Sequence, residues 1–409
     1  MRPTAKLAIR TGRLFDGERF STGPATVLID DGRIFAVEQS FPEPGADWQL
    51  VDAENATVLP GLFDTHVHLV ADSAMGALDR VPGYTDDELD AVMTQGLRRQ
   101  LAAGVTTVRD LGDRRFSAVV RRDRQRAGGM RDVEPTVLAS GPPLTSPGGH
   151  TFALGGEVAG RAAISAAIAE RAERGVDVVK VMASGGNTTP GTDVLATQFT
   201  GEDMTLIVDR AHAAGLPVTA HAHGLPAVEQ AVDVGVDGIE HCTCLTDKGF
   251  DLSDELIARI AGQGIAVSGV IPPPPVTDVA ATPPPIRALM AKLGLTPVEF
   301  RAQRAEMIGR LHRGGVRLVT GIDAGLTPWL AHGRVRAGVT FLTEAGCTPA
   351  AALAAATSRA AEVCGLGDRK GLLRRGYDAD VIVVDGDLRA DIEALEHVRT
   401  VVLGGSVVG

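Results

Sequence analysis

Hydrophobic and polar positions follow two different periods along the chain. Up to about residue 58, short apolar, β-branched runs alternate with polar turns. Residues 7–10 and 25–29 read as strands. Asp30-Asp31-Gly32 reads as a hairpin turn, with 33–37 as the return strand. Residues 51–53 and 56–59 have the same character, and the C-terminal end repeats it in strands over 379–385 and 398–403. Between about 60 and 360 the pattern changes. Short apolar runs over 61–68, 105–110, 136–139, 176–182, 217–223, 238–241, 265–270 and 316–323 predict strands. Amphipathic Ala/Arg/Glu-rich stretches over 86–103, 161–174, 203–214, 227–234 and 254–263 predict helices between them. Eight strands alternating with helices over ~250–300 residues fit an α/β (β/α)8 TIM barrel. A doubly wound sheet is the competing arrangement on alternation alone. The expected organisation is therefore a barrel over 59–359 and a composite β domain, a small sandwich, from 1–58 plus 360–409.

Polar side chains finish several of these apolar runs. His66 and His68 end the first barrel strand, and side chains two apart on a strand share a face. Lys180 sits inside Asp177-Val-Val-Lys-Val-Met182. His221 and His223 close the fifth run, His241 the sixth and Asp323 the eighth. Each alone has an ordinary structural explanation. Together they would bury several imidazoles, an ammonium and a carboxylate at one end of the strands, which is costly without a partner. A metal centre is the economical explanation, and the N/O donors suit Zn, Mn, Fe or Co. Burial lowers a lysine pKa. A neutral Lys180 amine can add carbon dioxide to form a carbamate, an anionic oxygen donor able to bridge two cations; pairing with a carboxylate is its plainer role.

The 409 residues suffice for two or three domains. Hydrophobic residues are 44% and charged residues 22%, as in ordinary globular proteins. The formal charge is -11 with basic residues dispersed, which argues against nucleic acid as a partner. Four cysteines make no disulfide framework. Residues 1–14 hold no apolar core of a signal peptide, and no run approaches the length of a membrane span. The expected compartment is a reducing cytoplasm, and the expected assembly a homo-oligomer. A Pro-rich stretch over 271–285 follows the seventh candidate strand and is expected to form a surface loop or a stiff wall at the barrel mouth.

These residues resemble the amidohydrolase superfamily over nearly the whole chain. The motifs are Val58-Leu-Pro-Gly-Leu-Phe-Asp-Thr-His-Val-His68, Gly104-Val-Thr-Thr-Val-Arg-Asp110, Val179-Lys-Val-Met-Ala-Ser-Gly-Gly186, Ala220-His-Ala-His-Gly224, Ile239-Glu-His241, Gly321-Ile-Asp-Ala-Gly325 and Gly376-Tyr-Asp-Ala-Asp-Val-Ile-Val-Val-Asp385. The resemblance implies a barrel with a β-sandwich built by both chain ends, and a centre of two divalent metal ions, zinc first among them, bridged by carboxylated Lys180. It implies that His66, His68 and Asp323 bind the more buried metal, that His221 and His241 bind the second, and that Asp323 moves the proton between water and leaving amine. The substrate would be a small-molecule amide or peptide: a dipeptide, an N-acyl amino acid or a related amide. The alternative keeps the centre but opens or deaminates a heterocycle, as imidazolonepropionase-like proteins do.

The Met-Ala-Ser-Gly-Gly and His-Ala-His-Gly runs are most similar to the branch that holds Xaa-Pro dipeptidases. There, the His of a Gly-Gly-His run like that around His150 contacts substrate. His223 stands where some of those dipeptidases carry a pocket Tyr, so it is expected in the substrate pocket, with ligation as its other role. Trp329 and His332, after the eighth strand, are expected pocket residues. Cys242 and Cys244 beside His241 are expected to be buried thiols rather than ligands, and Arg109 a structural ion-pair partner.

Overall fold

The computed structural model describes residues 6–40, 45–128, 133–269 and 284–409. Four strands open the chain: β1 (Lys6–Leu14), β2 (Ala25–Asp30), β3 (Arg33–Glu38) and the long β4 (Trp48–Pro60). Next come β5 (Leu62–Val67), β6 (Val105–Asp110), β7 (Thr136–Ala139), β8 (Val179–Met182), β9 (Val218–Gly224), β10 (Gly238–Thr246), β11 (Gly249–Phe250), β12 (Ala266–Ser268) and β13 (Arg317–Leu318). The chain closes with β14 (Val381–Asp385), β15 (Val398–Leu403) and β16 (Ser406–Val407).

The middle strands are an α/β fold with parallel sheets. β5, β6 and β7 form one sheet, and β8, β9, β10, β12 and β13 a second, with β11 turned back on β10. Every residue of β5 through β9 except Thr136 is buried, the pattern of parallel strands covered on both faces. Hydrogen bonds run between the edges of the two sheets at both seams. Thr65 N donates to Thr320 O at 3.0 Å just beyond β13, and Leu144 N donates to Lys180 O at 2.8 Å. Connecting helices begin where the sequence offers caps. Thr85 and Glu88 form a reciprocal capping box on the helix Asp86–Ala102, and Thr200 and Ser253 cap Gly201–Ala213 and Asp254–Gly262.

Both chain ends meet in one seven-stranded sheet of order β16-β15-β14-β4-β1-β2-β3. Leu7, Ile9, Val27, Ile29, Val58, Val381 and Val383 share a core of its own, separate from the large core of the parallel strands. Backbone bonds from Ala379 to Gly32 and from Gly405 to Ala379 bring its two ends together.

The parallel strands fall close to their expected positions. The eighth is the exception: only Arg317–Leu318 is a strand, and Asp323 lies beyond it on irregular backbone. Within that segment Gly321 passes so close to His66 and Ser268 that a Cβ would clash with both. Residues 271–283 of the Pro-rich stretch lie outside the described residues, and the helix Pro284–Leu293 starts on its last two prolines. Among the described residues no helix is long and apolar enough to cross a membrane.

The ion pair of Lys370 with Asp380, both buried, anchors the return into the terminal sheet. Asp380 also accepts from Gly404 N at 3.0 Å. Removing one partner strands a buried charge, so Lys370→Met is expected to cost about 3–5 kcal/mol in urea denaturation. A loss below about 1 kcal/mol would show that the pair is not an anchor.

Candidate metal centre

The strand ends gather six imidazoles, Lys180 and Asp323 into one buried cluster. Neighbouring rings of His66, His68, His150, His221, His223 and His241 lie with centroids 4.3 to 5.4 Å apart. Lys180 Nζ is 3.5 Å from His66 Nε2. Asp323 Oδ1 lies 3.2 Å from His66 Nε2 and 3.0 Å from His68 Nε2, yet accepts no hydrogen bond. One ligand atom each from His66, His241 and Asp323 lie within 4.8 Å of one another, and so do those of His221, His223 and His241. A buried carboxylate oxygen without a donor, faced by ring nitrogens, is the surrounding a cation completes. The donor set therefore fits divalent metal ions.

Local backbone aims these side chains. Alternation along β10 would send Glu240 and His241 to opposite faces. His241 instead has φ +68, Cys242 +45 and Cys244 +47, and the β9–β10 register shifts between His241 and Leu245. Asp323 has φ +60. Non-glycine residues in this region are uncommon and carry strain that the surroundings must support. At His241 the support is Arg304. This buried guanidinium donates to the carbonyls of His241 and Gly269 at 2.5 and 2.7 Å. Among the described residues it has no carboxylate partner, and burial pushes it down to about 10.

A second layer orients the rings. Glu240, fully buried, places Oε2 2.9 Å from His66 Nδ1, while its Oε1 accepts from Thr219 Oγ1 at 2.7 Å and Arg109 at 3.1 Å. Burial opposes its charge, but His66, Lys180 and Arg109 hold it well below the usual carboxylate range. His68 Nδ1 faces the Gly112 carbonyl at 3.0 Å, leaving Nε2 for the cluster. Asp64 accepts from Gln100 and from the backbone of His66 and Ile322, tying β5 to the segment that carries Asp323. Burial pushes this carboxyl up to about 7.

Burial also sets the charge states within the cluster. It lowers Lys180 to about 8, within reach of a neutral amine. It lowers His150 and His223 to about 3, and His221 and His241 well below their ordinary value. Burial opposes charge on Asp323 too, but His66, His68 and Lys180 keep it ionised.

The remaining expected residues divide. His150 stacks beside His221 over Gly186, with Nδ1 2.9 Å from Thr189 Oγ1. His223 joins the cluster with Nδ1 3.0 Å from Thr243 Oγ1, and His221 Nε2 is 3.2 Å from Gly185 O. His332 is buried, its ring packs on Gly96 and Gly325, and its Nε2 meets Ala71 O at 3.1 Å, on the side of His68. Trp329 is half-buried in the short helical turn Pro328–Leu330. Cys242 and Cys244 are buried thiols, and Arg109 is the ion-pair partner of Glu240. Reading the sequence missed Glu240 and Arg304 as parts of the site. Glu240 sits in the Ile-Glu-His motif, but strand alternation pointed it away. No local signal marks Arg304.

The sequence model of the Amidohydrolase family matches residues 57–408. Ochratoxinase of Aspergillus niger is 27% identical over 96% of this chain and 84% of its own length. An uncharacterized protein of Mycobacterium tuberculosis is 29% identical over 93% of this chain and 91% of its own. The crystal structure of a Xaa-Pro dipeptidase with bound methionine in the active site superposes with a TM-score of 0.84 at 26% identity, covering 98% of this chain and 99% of that one.

Two outcomes follow from this geometry. Glu240→Gln removes the charge that orients His66, and metal affinity is expected to fall about 10–100-fold by competitive chelator titration. An unchanged affinity would show that Glu240 is only packing. The lowered imidazoles also make the metal-free protein acid-sensitive. Their folded values lie below the unfolded 6.5, so the unfolded state binds more protons as pH falls through that value. Stability of the chelated protein is expected to drop steadily from about pH 7 to pH 5 in thermal melts, and a flat profile would contradict it.

Proposed function

The chain belongs to the amidohydrolase family and is a metal-dependent hydrolase of C–N bonds; from that premise we propose that its substrate is a dipeptide, N-acyl amino acid or related small amide. The convergence of His66, His68, Lys180, His221, His241 and Asp323 in one buried cluster carries this reading. The catalytic unit would be a (β/α)8 barrel over 59–359, with residues 1–58 and 360–409 as the accompanying β domain, the expected sandwich, whose strands join in the one seven-stranded sheet.

His66, His68 and Asp323 would hold the more buried metal ion and His221 and His241 the other, with zinc the leading candidate. His223, within the same triad of rings, is the reserve donor. Lys180, which burial lowers to about 8, would add carbon dioxide through its neutral fraction, lose a proton and offer a carbamate oxygen donor to both ions. Two bound cations make a water more acidic and polarise the scissile carbonyl.

The chain's own residues do the rest. Asp323, ionised and open on Oδ1, takes a proton from the attacking water and returns it to the departing nitrogen. Thr189 Oγ1 accepts from Thr151 N at 3.0 Å and lies 2.9 Å from His150 Nδ1. With its hydroxyl proton given to that nitrogen, His150 would carry its ring proton on Nε2, as a neutral donor for a substrate oxygen. A dipeptide substrate is in keeping with the Xaa-Pro dipeptidase whose structure this chain resembles.

Metal content of protein purified without chelator is the deciding measurement. About two divalent ions per chain are expected, falling to one or fewer in Lys180→Met. Asp323→Asn is expected to lower amide turnover by about 10²–10⁴-fold. One ion in the unaltered chain would favour deamination of a heterocycle. None, after reconstitution with zinc and bicarbonate, would remove the metal centre altogether.

A further inference from the structure

A cavity of about 240 Å³ opens beside His150. Leu78, Thr151, Phe152, Leu154, Thr188 and Thr189 are among its lining residues. Thr189 belongs to both cavity and centre, because its hydroxyl meets the His150 ring. Leu154 supplies another part of the wall: its Cδ1 and the His68 ring both border the space beside Gly112 that a Cβ would fill. The cavity therefore flanks the cluster between the two imidazoles that border it on this side.

Two further observations point to an occupant. Thr151 and Thr188 each hold a buried hydroxyl oxygen without a hydrogen-bond partner. Thr151, itself 4% exposed, also has φ +58. That conformation is a genuine outlier for a β-branched residue. Strain plus an unsatisfied hydroxyl is costly unless something else uses the arrangement. The loop after β8 braces it from outside, since Gln198 Oε1 accepts from His150 N at 2.5 Å and Gln198 Nε2 donates to Met182 O at 2.7 Å.

We propose that this cavity is the specificity pocket for one of the two groups flanking the scissile amide, and that it takes a compact apolar group of isobutyl or benzyl size. Its volume exceeds the roughly 150 Å³ of a dry cavity that binds benzene. Leu78, Phe152, Ala153, Leu154 and Pro190 supply the apolar wall, the exposed Asp79 stands at its solvent side, and the Thr151 and Thr188 hydroxyls can accept or donate at its polar edge. Small polar or glycine-like groups would leave both the apolar wall and the space unused. The proposal rests on the amide-hydrolase reading, because it assumes that the substrate lies across the metal cluster.

The test separates the two. N-acetylglycine, N-acetylleucine and N-acetylphenylalanine, with their amides, serve as probes. Binding is read by calorimetry and turnover by amine release, in the unaltered holoenzyme and in Ala153→Phe, which fills the cavity from its wall. The leucine and phenylalanine probes are expected to exceed the glycine probe by tenfold or more in affinity, and in kcat/KM wherever turnover occurs. Ala153→Phe is expected to collapse that ratio by tenfold or more. Thr188→Phe, from the half-buried rim, repeats the test should the first variant not fold. Equal affinities across the series, or a ratio untouched by both fillings, would overturn the pocket. Size-graded binding with no turnover of any amide would uphold the pocket and overturn the amide-hydrolase reading.

Discussion

The cost of burying charge at the ends of parallel strands governs this molecule. Six imidazoles, an ammonium and a carboxylate share a space from which water is largely excluded. Their mutual repulsion and desolvation disfavour the protonated rings, so most are held neutral with lone pairs pointing inward. Neutral imidazoles around an ionised carboxylate are poor company for one another and good company for a dication. The arrangement is thus a folded protein's most expensive region and its reactive one, and the rest of the structure serves to keep it from relaxing.

The restraint runs outward in layers. Arg109 and Thr219 fix Glu240, and Glu240 fixes His66. The Gly112 carbonyl fixes His68, and Asp64 ties the backbone of the first strand to that of the eighth segment. Arg304 holds the left-handed turn that swings His241 into line. Each is a buried polar contact made to backbone or to a charge, and each would be a liability anywhere that it could open to solvent. The Arg304 guanidinium, without a carboxylate partner among the described residues, also places positive charge beside the turn that carries His241. That charge disfavours proton uptake by His223 and so helps keep its ring a lone-pair donor.

How much of this was legible in the sequence depends on distance along the chain. Strands β5 to β10 show as short, mostly apolar and β-branched runs, and His66, Lys180 and His221 stand out among the polar residues within them. Period-two reasoning places those side chains correctly, because their backbone is regular. It fails at His241 and Asp323, where φ turns positive and neighbours cease to alternate. Glu240 was visible in the motif but misdirected for that reason. Arg304 was not visible at all: a helical arginine 63 residues from the carbonyl it holds leaves no local trace. His332, expected in the pocket, has its ring packed on Gly96 and facing the Ala71 carbonyl, next to the backbone of His68.

Regular strands bring the ligand-bearing residues to one layer, but strained turns decide where the last two point. The same division extends to the substrate side. His150 is held by Thr189, and Thr189 also lines the apolar cavity next door. A group filling that cavity would press on the hydroxyl that meets the His150 ring. Recognition of the flanking group and orientation of that ring would then be one mechanical event rather than two. Remote binding contacts spent on aligning the reacting centre raise turnover as well as affinity. A scaffold that pays for strain at Thr151, His241 and Asp323 is one in which ground-state comfort has been given up for alignment at three points around a single bond.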